Sequence, residues 1–167
     1  NFATMLESVA ALEEVGSVMI LSCDDDALAP EDVDDVLRAC PKPVFGGVFP
    51  RIIAEGRDVS RGTLMVGFPS PARVVSVKKI SDESTSFEKI LEREAVFAEG
   101  ERTICFVYVD GMARRISVFT EALFDAFGPS VNYVGGGAGS LASTTRPCLF
   151  TPDGLISDGA LVVFTAL

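Results

Sequence analysis

The chain contains no histidine. Because imidazole is the usual base that activates serine and cysteine nucleophiles, its absence excludes Ser-His-Asp and Cys-His catalysis by these residues. It also removes the commonest protein ligand of metal ions and the commonest axial ligand of haem iron. The sequence therefore predicts a domain that holds no metal and no cofactor.

Positive charge is scarce. The chain has 14 Lys and Arg against 24 Asp and Glu, and its net charge is −10. The first 50 residues carry ten carboxylates and only two cations, Arg38 and Lys42. A surface of this sign repels a phosphate backbone, so we expect no nucleic-acid partner. The acidic half is typical of a solvated face that aids solubility.

Long apolar runs and paired cysteines are also missing. No run reaches the ~18 residues of a membrane-spanning helix, and no basic segment followed by an apolar stretch opens the chain. The four cysteines, Cys23, Cys40, Cys105 and Cys148, form no CxxC pair, and three of them lie in or at the end of apolar segments. We expect reduced thiols, no membrane contact and a cytoplasmic location.

What the chain does contain is apolar: 48% of its residues are hydrophobic, and 12 are phenylalanine. A chain of 167 residues buries roughly 70% of its unfolded surface, which is enough for a sizeable core. We predict a single domain over residues 1–167. Because the chain begins with Asn1 and ends on a strand-like segment, we expect it to be a piece of a longer protein.

Strand and helix patterns alternate along the chain. Strands are predicted at 17–22, 63–68, 72–80, 103–109, 131–134 and 148–151, and helices at 3–14, 30–40, 85–100 and 114–127. Consecutive strands also occur, which argues against a purely parallel sheet. The prediction is an α/β (α+β) fold, in which helices pack on mixed sheets.

Two of the helices carry start signals. Pro30 suits the first helical position, and Val33 and Leu37 line one face of the turns that follow. Thr85 and Glu88 have the spacing of a Thr-x-x-Glu capping box, after which Phe87, Ile90, Leu91 and Ala95 form an apolar stripe that Gly100 ends.

A β-α-β-β unit is predicted to occur twice. Strand 17–22 is followed by a helix and by Val44-Phe-Gly-Gly47, and strand 103–109 by a helix and by Val134-Gly-Gly136. Each half closes with a similar strand, which contains Gly62 in the first half and Gly159 in the second. We interpret this as a duplication around a pseudo-twofold axis, which brings the two glycine segments near each other. The alternative is the loose similarity of halves that many α/β chains show.

The second of these segments, Gly135-Gly136-Gly137-Ala138-Gly139-Ser140, is the strongest candidate for a binding site. No G-x-G-x-x-G register fits it, no helix pattern follows it, and no Gly-Lys-Ser/Thr occurs. Successive N–H groups of a backbone nest could hold an anion there, with Gly46 and Gly47 on the facing side. Ser140, Thr144, Thr145 and Arg146 would add donors, and arginine suits a carboxylate. The alternative is a crowded structural corner.

Carboxylates follow the first strand of each half. Asp24-Asp25-Asp26 has oxygens of the kind that hold Mg²⁺, but three consecutive side chains converge poorly, so a solvated loop is favoured. Asp110 ends the matching strand, where it is either part of a turn or an acceptor for a ligand amine. An enzyme that uses Asp110 and Asp158 beside a glycine oxyanion site is a further alternative.

The second half resembles the N-terminal region of FIST domains. The stretches that carry the resemblance are Val107–Gly111, Phe124–Gly128, Val131–Ser140, Pro147–Phe150 and Gly154–Ala160. Pro43–Gly47 and Gly62–Met65 in the first half are compatible with it, so that the similarity covers residues 17–167.

The resemblance implies an intracellular sensory domain that binds a small ligand, such as an amino acid or another small carboxylate, and does not act as an enzyme. It implies a signalling domain or a C-terminal FIST portion as partner. Some members of the family are associated with haem, but the absence of histidine argues against haem here. The alternatives are an enzyme of the transferase or hydrolase type and a module that docks a partner through apolar surface.

Overall fold

The computed structural model of the chain describes residues 1–94, 103–142 and 145–166. The helices are α1 (Phe2–Ala10), α2 (Pro30–Ala39), α3 (Phe87–Leu91) and α4 (Ile116–Phe127). The strands are β1 (Ser17–Cys23), β2 (Val44–Phe49), β3 (Ile52–Ala54), β4 (Arg57–Val59), β5 (Thr63–Phe68), β6 (Arg73–Lys78), β7 (Thr103–Asp110), β8 (Asn132–Ala138), β9 (Leu149–Thr151), β10 (Gly154–Ile156) and β11 (Gly159–Ala166).

These strands form two sheets and one separate hairpin. The first sheet has the order β10-β9-β2-β1-β5, the second has the order β6-β11-β7-β8, and β3 pairs with β4. β1 and β2 are parallel and are joined through α2, and β7 and β8 are parallel and are joined through α4. The other neighbours are antiparallel. The predicted α/β fold with mixed sheets is confirmed.

The two sheets pack face to face. Phe106 of β7 contacts Phe45 of β2 with their ring centroids 5.5 Å apart, and the Tyr108 hydroxyl donates to the Met19 sulfur at 3.0 Å. The alternate residues of β7 belong to a second apolar cluster with α3 and α4, in which Phe119 and Leu123 are buried. Helices therefore cover the second sheet on the side away from the first, as the period-two alternation of a strand requires.

The halves of the chain correspond in more than strand order. The β3–β4 hairpin follows β2, and the β9–β10 hairpin follows β8. Residues 52–54 and 57–59 of the first hairpin match residues 149–151 and 154–156 of the second at a constant offset of 97. The hairpins differ in their pairing, because β9 joins β2 whereas β3–β4 remains a two-stranded sheet. That the halves descend from one duplicated unit stays a prediction.

Several predicted element boundaries are wrong. α1 ends at Ala10 rather than at residue 14, and the side chain of Leu12 is 47% exposed. The Thr85 hydroxyl donates to the Lys79 carbonyl at 2.8 Å instead of capping, so α3 begins only at Phe87. The predicted positions of Ala95 and Gly100 lie outside the described residues. The glycines of β2 and β8 lie inside the strands, which continue to Phe49 and Ala138 instead of ending before them.

All four cysteines are free thiols. Burial raises the pKa of Cys105 to about 12, and burial together with the neighbouring Asp110 carboxylate raises that of Cys148 to about 12. Among the described residues, no three acidic, cysteine or histidine side chains are arranged to hold a metal ion. No helix within these ranges has the length and apolar composition needed to cross a membrane.

Candidate functional site

The glycine segments of β2 and β8 meet where both strands end. The Gly139 N–H donates to the Val48 carbonyl at 2.7 Å. A Cβ added to Gly47 would lie 2.9 Å from the Cβ of Ala138, so the backbones approach as closely as glycine allows. This meeting of strand ends, formed by Asp24, Gly47, Ala138, Gly139, Ser140 and Arg146, is called the junction below.

Gly46 and Gly135 have a packing role that needs no ligand. Their φ angles are +145° and +151°. A Cβ would lie 1.9 Å from the Ile20 carbonyl oxygen at Gly46 and 1.8 Å from the Val107 carbonyl oxygen at Gly135. Only glycine permits this approach of each strand to its parallel neighbour. The structural alternative therefore accounts for these two glycines, and their part in a ligand site stays a prediction.

The predicted backbone nest does not form over Gly135–Ala138. These residues are extended, and an extended strand directs successive N–H groups to opposite sides. A nest requires them to point to the same side. The run is thus divided between two places: Gly135, Gly136 and Gly137 line the side of the second sheet, and Ala138, Gly139 and Ser140 reach the junction.

The polar centre of the junction is Asp24, which directly follows β1. Its carboxylate accepts a hydrogen bond from the Ser140 hydroxyl and forms an ion pair with the Arg146 guanidinium. Arg146 Nη2 also donates to the Asp24 carbonyl at 3.3 Å. The Asp24 side chain is 14% exposed, and that of Arg146 is 38% exposed. Two donors of the segment after β8 therefore converge on one carboxylate at a partly solvated position.

Asp110 lies beside the junction and has its own partners. The residue is 2% exposed, and its two carboxylate oxygens accept the N–H groups of Met112 at 2.9 Å and Asp158 at 2.7 Å. The Asp158 carboxylate instead accepts from the N–H and the hydroxyl of Ser81. Asp110 therefore orders the turn after β7, and its role toward a ligand stays a prediction.

A concave region lies between α4 and the edge strand β8, and it reaches Val107 and Val109 of β7. Its volume is about 470 Å³, and it separates β8 from α4. Thr120, Phe124, Tyr133 and the glycines 135–137 line it, and we call it the β8 groove. The lining is mainly apolar, and the two hydroxyls are occupied: Thr120 donates to the Ile116 carbonyl and Tyr133 to the Gly128 carbonyl. The groove thus lacks the cation that a carboxylate ligand requires.

Sequence reasoning missed the role of Asp24. The sequence favours a solvated loop for Asp24-Asp25-Asp26, whereas Asp24 pairs with Arg146 and Asp26 accepts the Gly62 N–H at 2.8 Å. The available signal was position, because Asp24 follows the first strand of its half as Asp110 ends that of the other. Of the other predicted donors, Thr145 is exposed, and Thr144 falls outside the described residues.

The sequence model of a family described as the FIST N domain matches residues 17–166, and it covers both sheets and the junction. No curated protein matches the chain.

Proposed function

Because the chain belongs to the FIST family, through an N domain that spans residues 17–166, we propose that its junction binds the carboxylate of a small ligand such as an amino acid. FIST domains are small-ligand sensory domains of signalling proteins. We further propose that the ligand is a small carboxylate, that it binds at the junction, and that the protein is cytoplasmic.

One observation carries the proposal: the Ser140 hydroxyl and the Arg146 guanidinium already converge on a carboxylate, that of Asp24. Charge-assisted hydrogen bonds from arginine to a carboxylate are short and strong, and arginine can make two of them in parallel. A ligand carboxylate would take the place of Asp24 on these donors. The released Asp24 would then lie beside the bound molecule, where it can accept a hydrogen bond from a ligand amine.

The same exchange suggests how binding is sensed. Asp24 connects the end of β1 to the segment that follows β8, so its displacement changes a contact between the two halves of the chain. We propose that this change is transmitted to a C-terminal FIST portion or to a signalling domain. We further propose that the domain does not catalyse a reaction, since each oxygen of the buried Asp110 carboxylate is held by a backbone N–H.

The proposal is tested by thermal unfolding of the chain against a panel of amino acids, small carboxylates, phosphates and nucleotides. A ligand at ~100 times its Kd stabilises the fold by roughly 2.7 kcal/mol. We expect stabilisation by one class of carboxylate, and loss of that stabilisation in Arg146→Met. The matched control is Arg38→Met, which removes another ion-paired arginine, on α2.

Equal stabilisation of the Arg146→Met variant would remove the junction from consideration. Stabilisation by phosphates or nucleotides alone would overturn the assignment of the ligand class.

A further inference from the structure

The outer edge of β8 is the place where the two halves of the chain differ most. Within the described ranges, β8 pairs only with β7, so one side of its backbone has no strand beside it. Side chains on both sides of this edge are exposed and apolar, with Val134 at 49% and Phe124 at 53%. A free edge of this kind is a template for another strand, and proteins normally cover or charge such edges.

The first half shows what covers the equivalent edge. There β9 pairs antiparallel with β2, so that Phe150 lies opposite Gly46 and Leu149 opposite Gly47. Both apolar side chains are fully buried. Because Gly46 and Gly135 have similar φ angles and a similar close contact with the preceding strand, Gly135 and Gly136 present an edge of matching shape.

The helices beside the two edges also correspond. Val33 and Leu37 form the buried stripe of α2, and Phe119 and Leu123 that of α4. The residue after each of these on α2 holds the hairpin: Asp34 accepts the Leu155 N–H at 2.8 Å, and Arg38 donates to the Asp153 carbonyl at 2.8 Å.

The matching positions on α4 are Thr120 and Phe124, and both line the β8 groove. The groove thus occupies the position that a β-hairpin fills in the first half.

The chain also contains a hairpin of the matching kind that lacks a sheet. β3–β4 follows β2 as β9–β10 follows β8, and Ile52 and Ile53 occupy the positions of Leu149 and Phe150. In the part of the chain that the structure describes, it pairs with no other strand. The Cys23 thiol donates to the Val59 carbonyl at the base of the hairpin, whereas the Ile53 side chain is 74% exposed.

One charged position of the hairpin is complementary to α4: Arg57 is positive, whereas Asp58 is already paired with Arg51. Glu121 and Asp125 lie on α4 next to Phe124, and with it they line a shallow concavity that adjoins the β8 groove. Arg57, the first residue of β4, is exposed and corresponds to the β10 residue that packs against α2. A docked β3–β4 hairpin would place this arginine beside the two carboxylates.

We propose that two copies of this chain associate by exchanging β3–β4 hairpins, each of which pairs with the free edge of β8 in the other. In the register of β9 on β2, the partner's Ile53 lies opposite Gly135 and the partner's Ile52 opposite Gly136. The interface is isologous, because both copies give the hairpin and both receive it. This interaction is separate from the ligand site at the junction.

The test is sedimentation equilibrium of the chain and of three variants over a range of concentrations. We expect the mass of the wild-type chain to rise from 17.7 kDa toward twice that value. Ile53→Glu alters the exposed hairpin residue. Gly136→Glu alters the edge, and there an added Cβ meets no atom within 4 Å. Each variant places an unpaired carboxylate in the contact twice per dimer, so we expect self-association to weaken at least about 100-fold.

The control variant is Leu12→Glu, which charges an exposed leucine just after α1 and should dimerise as the wild type does. A mixture gives the sharpest result. Ile53→Glu keeps an intact β8 edge and Gly136→Glu keeps an intact hairpin, so the two should form a heterodimer through one contact although neither self-associates. A chain that stays monomeric at high micromolar concentration overturns the proposal, as does a dimer that both variants leave unchanged.

Discussion

The strands β2 and β8 share a glycine pair and differ in what lies on their outer side. A Cβ added to Gly46 or Gly135 would lie at almost the same distance from a carbonyl of the parallel neighbouring strand, because each strand approaches that neighbour equally closely. Gly47 is packed against Ala138 and Phe49, whereas the corresponding Gly136 has open space around it. The first glycine of each pair thus allows the close approach of the parallel neighbouring strand. The surroundings of the second glycine differ between the two halves.

The largest loss of stability is expected at Gly46, where the close approach of two strands lies inside a sheet. Gly46→Ala places a Cβ on the Ile20 carbonyl in the middle of the first sheet, at a φ that alanine rarely adopts. We expect a loss of about 4 kcal/mol or more of the free energy of unfolding. Gly135→Ala has the same clash on an edge strand that is able to shift, and should cost about half as much. Urea denaturation measures both, and equal losses would contradict the role assigned to the edge.

Gly47 and Gly136 provide a second matched pair. Gly47→Val introduces a side chain between β2 and Ala138, where an added Cβ already lies at 2.9 Å. Overpacking of this kind costs about 1–3 kcal/mol, and we expect a value near the upper end. If Gly47→Val shifted the midpoint of urea denaturation less than an exposed substitution such as Leu12→Val, the junction would be more loosely packed than these distances indicate.

Alkaline pH should destabilise the two halves together. The pKa of Cys148, beside β2, and that of Cys105, in β7, are both raised by burial from 9.0 to about 12. The folded chain therefore keeps protons that the unfolded chain releases, so this stability is complete below about pH 9 and is lost as the pH rises from 9 toward 12. By about pH 10 each thiol has lost roughly 1.4 kcal/mol of its contribution to the free energy of unfolding. Urea titrations of Cys148→Ala and Cys105→Ala should show that the free energy of unfolding depends less on pH in both variants, and by the same amount. A reduction in only one variant would mean that alkaline pH acts on one half of the chain alone.

The smallest effect is expected at the open edge. Gly136→Val adds a side chain that meets no atom within 4 Å, and valine favours an extended strand. We expect the free energy of unfolding of the monomer to change by less than about 0.5 kcal/mol, measured at low micromolar concentration. A loss as large as that of Gly47→Val would mean that β8 is covered in the isolated chain.

Apolar spacing was sufficient to place several of the elements. β1, β5 and the Phe119, Leu123 and Phe127 stripe of α4 lie where the apolar spacing places them. Sequence patterns failed at Gly46 and Gly135. Glycines often mark the end of a strand, whereas here they lie inside the strands and permit the close approach of a neighbouring strand. Sequence patterns also failed at β3–β4, a hairpin of two three-residue strands that is too short for a periodic signal.

For the junction, the sequence identified Gly47, Ala138, Gly139, Ser140 and Arg146 but not their partner. Asp24 is more than a hundred residues away from Ser140 and Arg146 along the chain, and only the approach of the strand ends brings them together. No local pattern records such a contact. The separation of Gly135–Gly137 from Gly139 and Ser140 was equally hidden, because it depends on how far the strand continues through the glycines.

The pairing of Gly46 with Phe150 has a consequence for the order in which the chain can fold. The first sheet is completed by residues from near the other end of the sequence, so an N-terminal fragment cannot finish it. At a synthesis rate of roughly 5–20 residues per second, β2 waits about 5–20 seconds on the ribosome before β9 emerges. Throughout that interval the edge of β2 is open to other nascent chains and to chaperones.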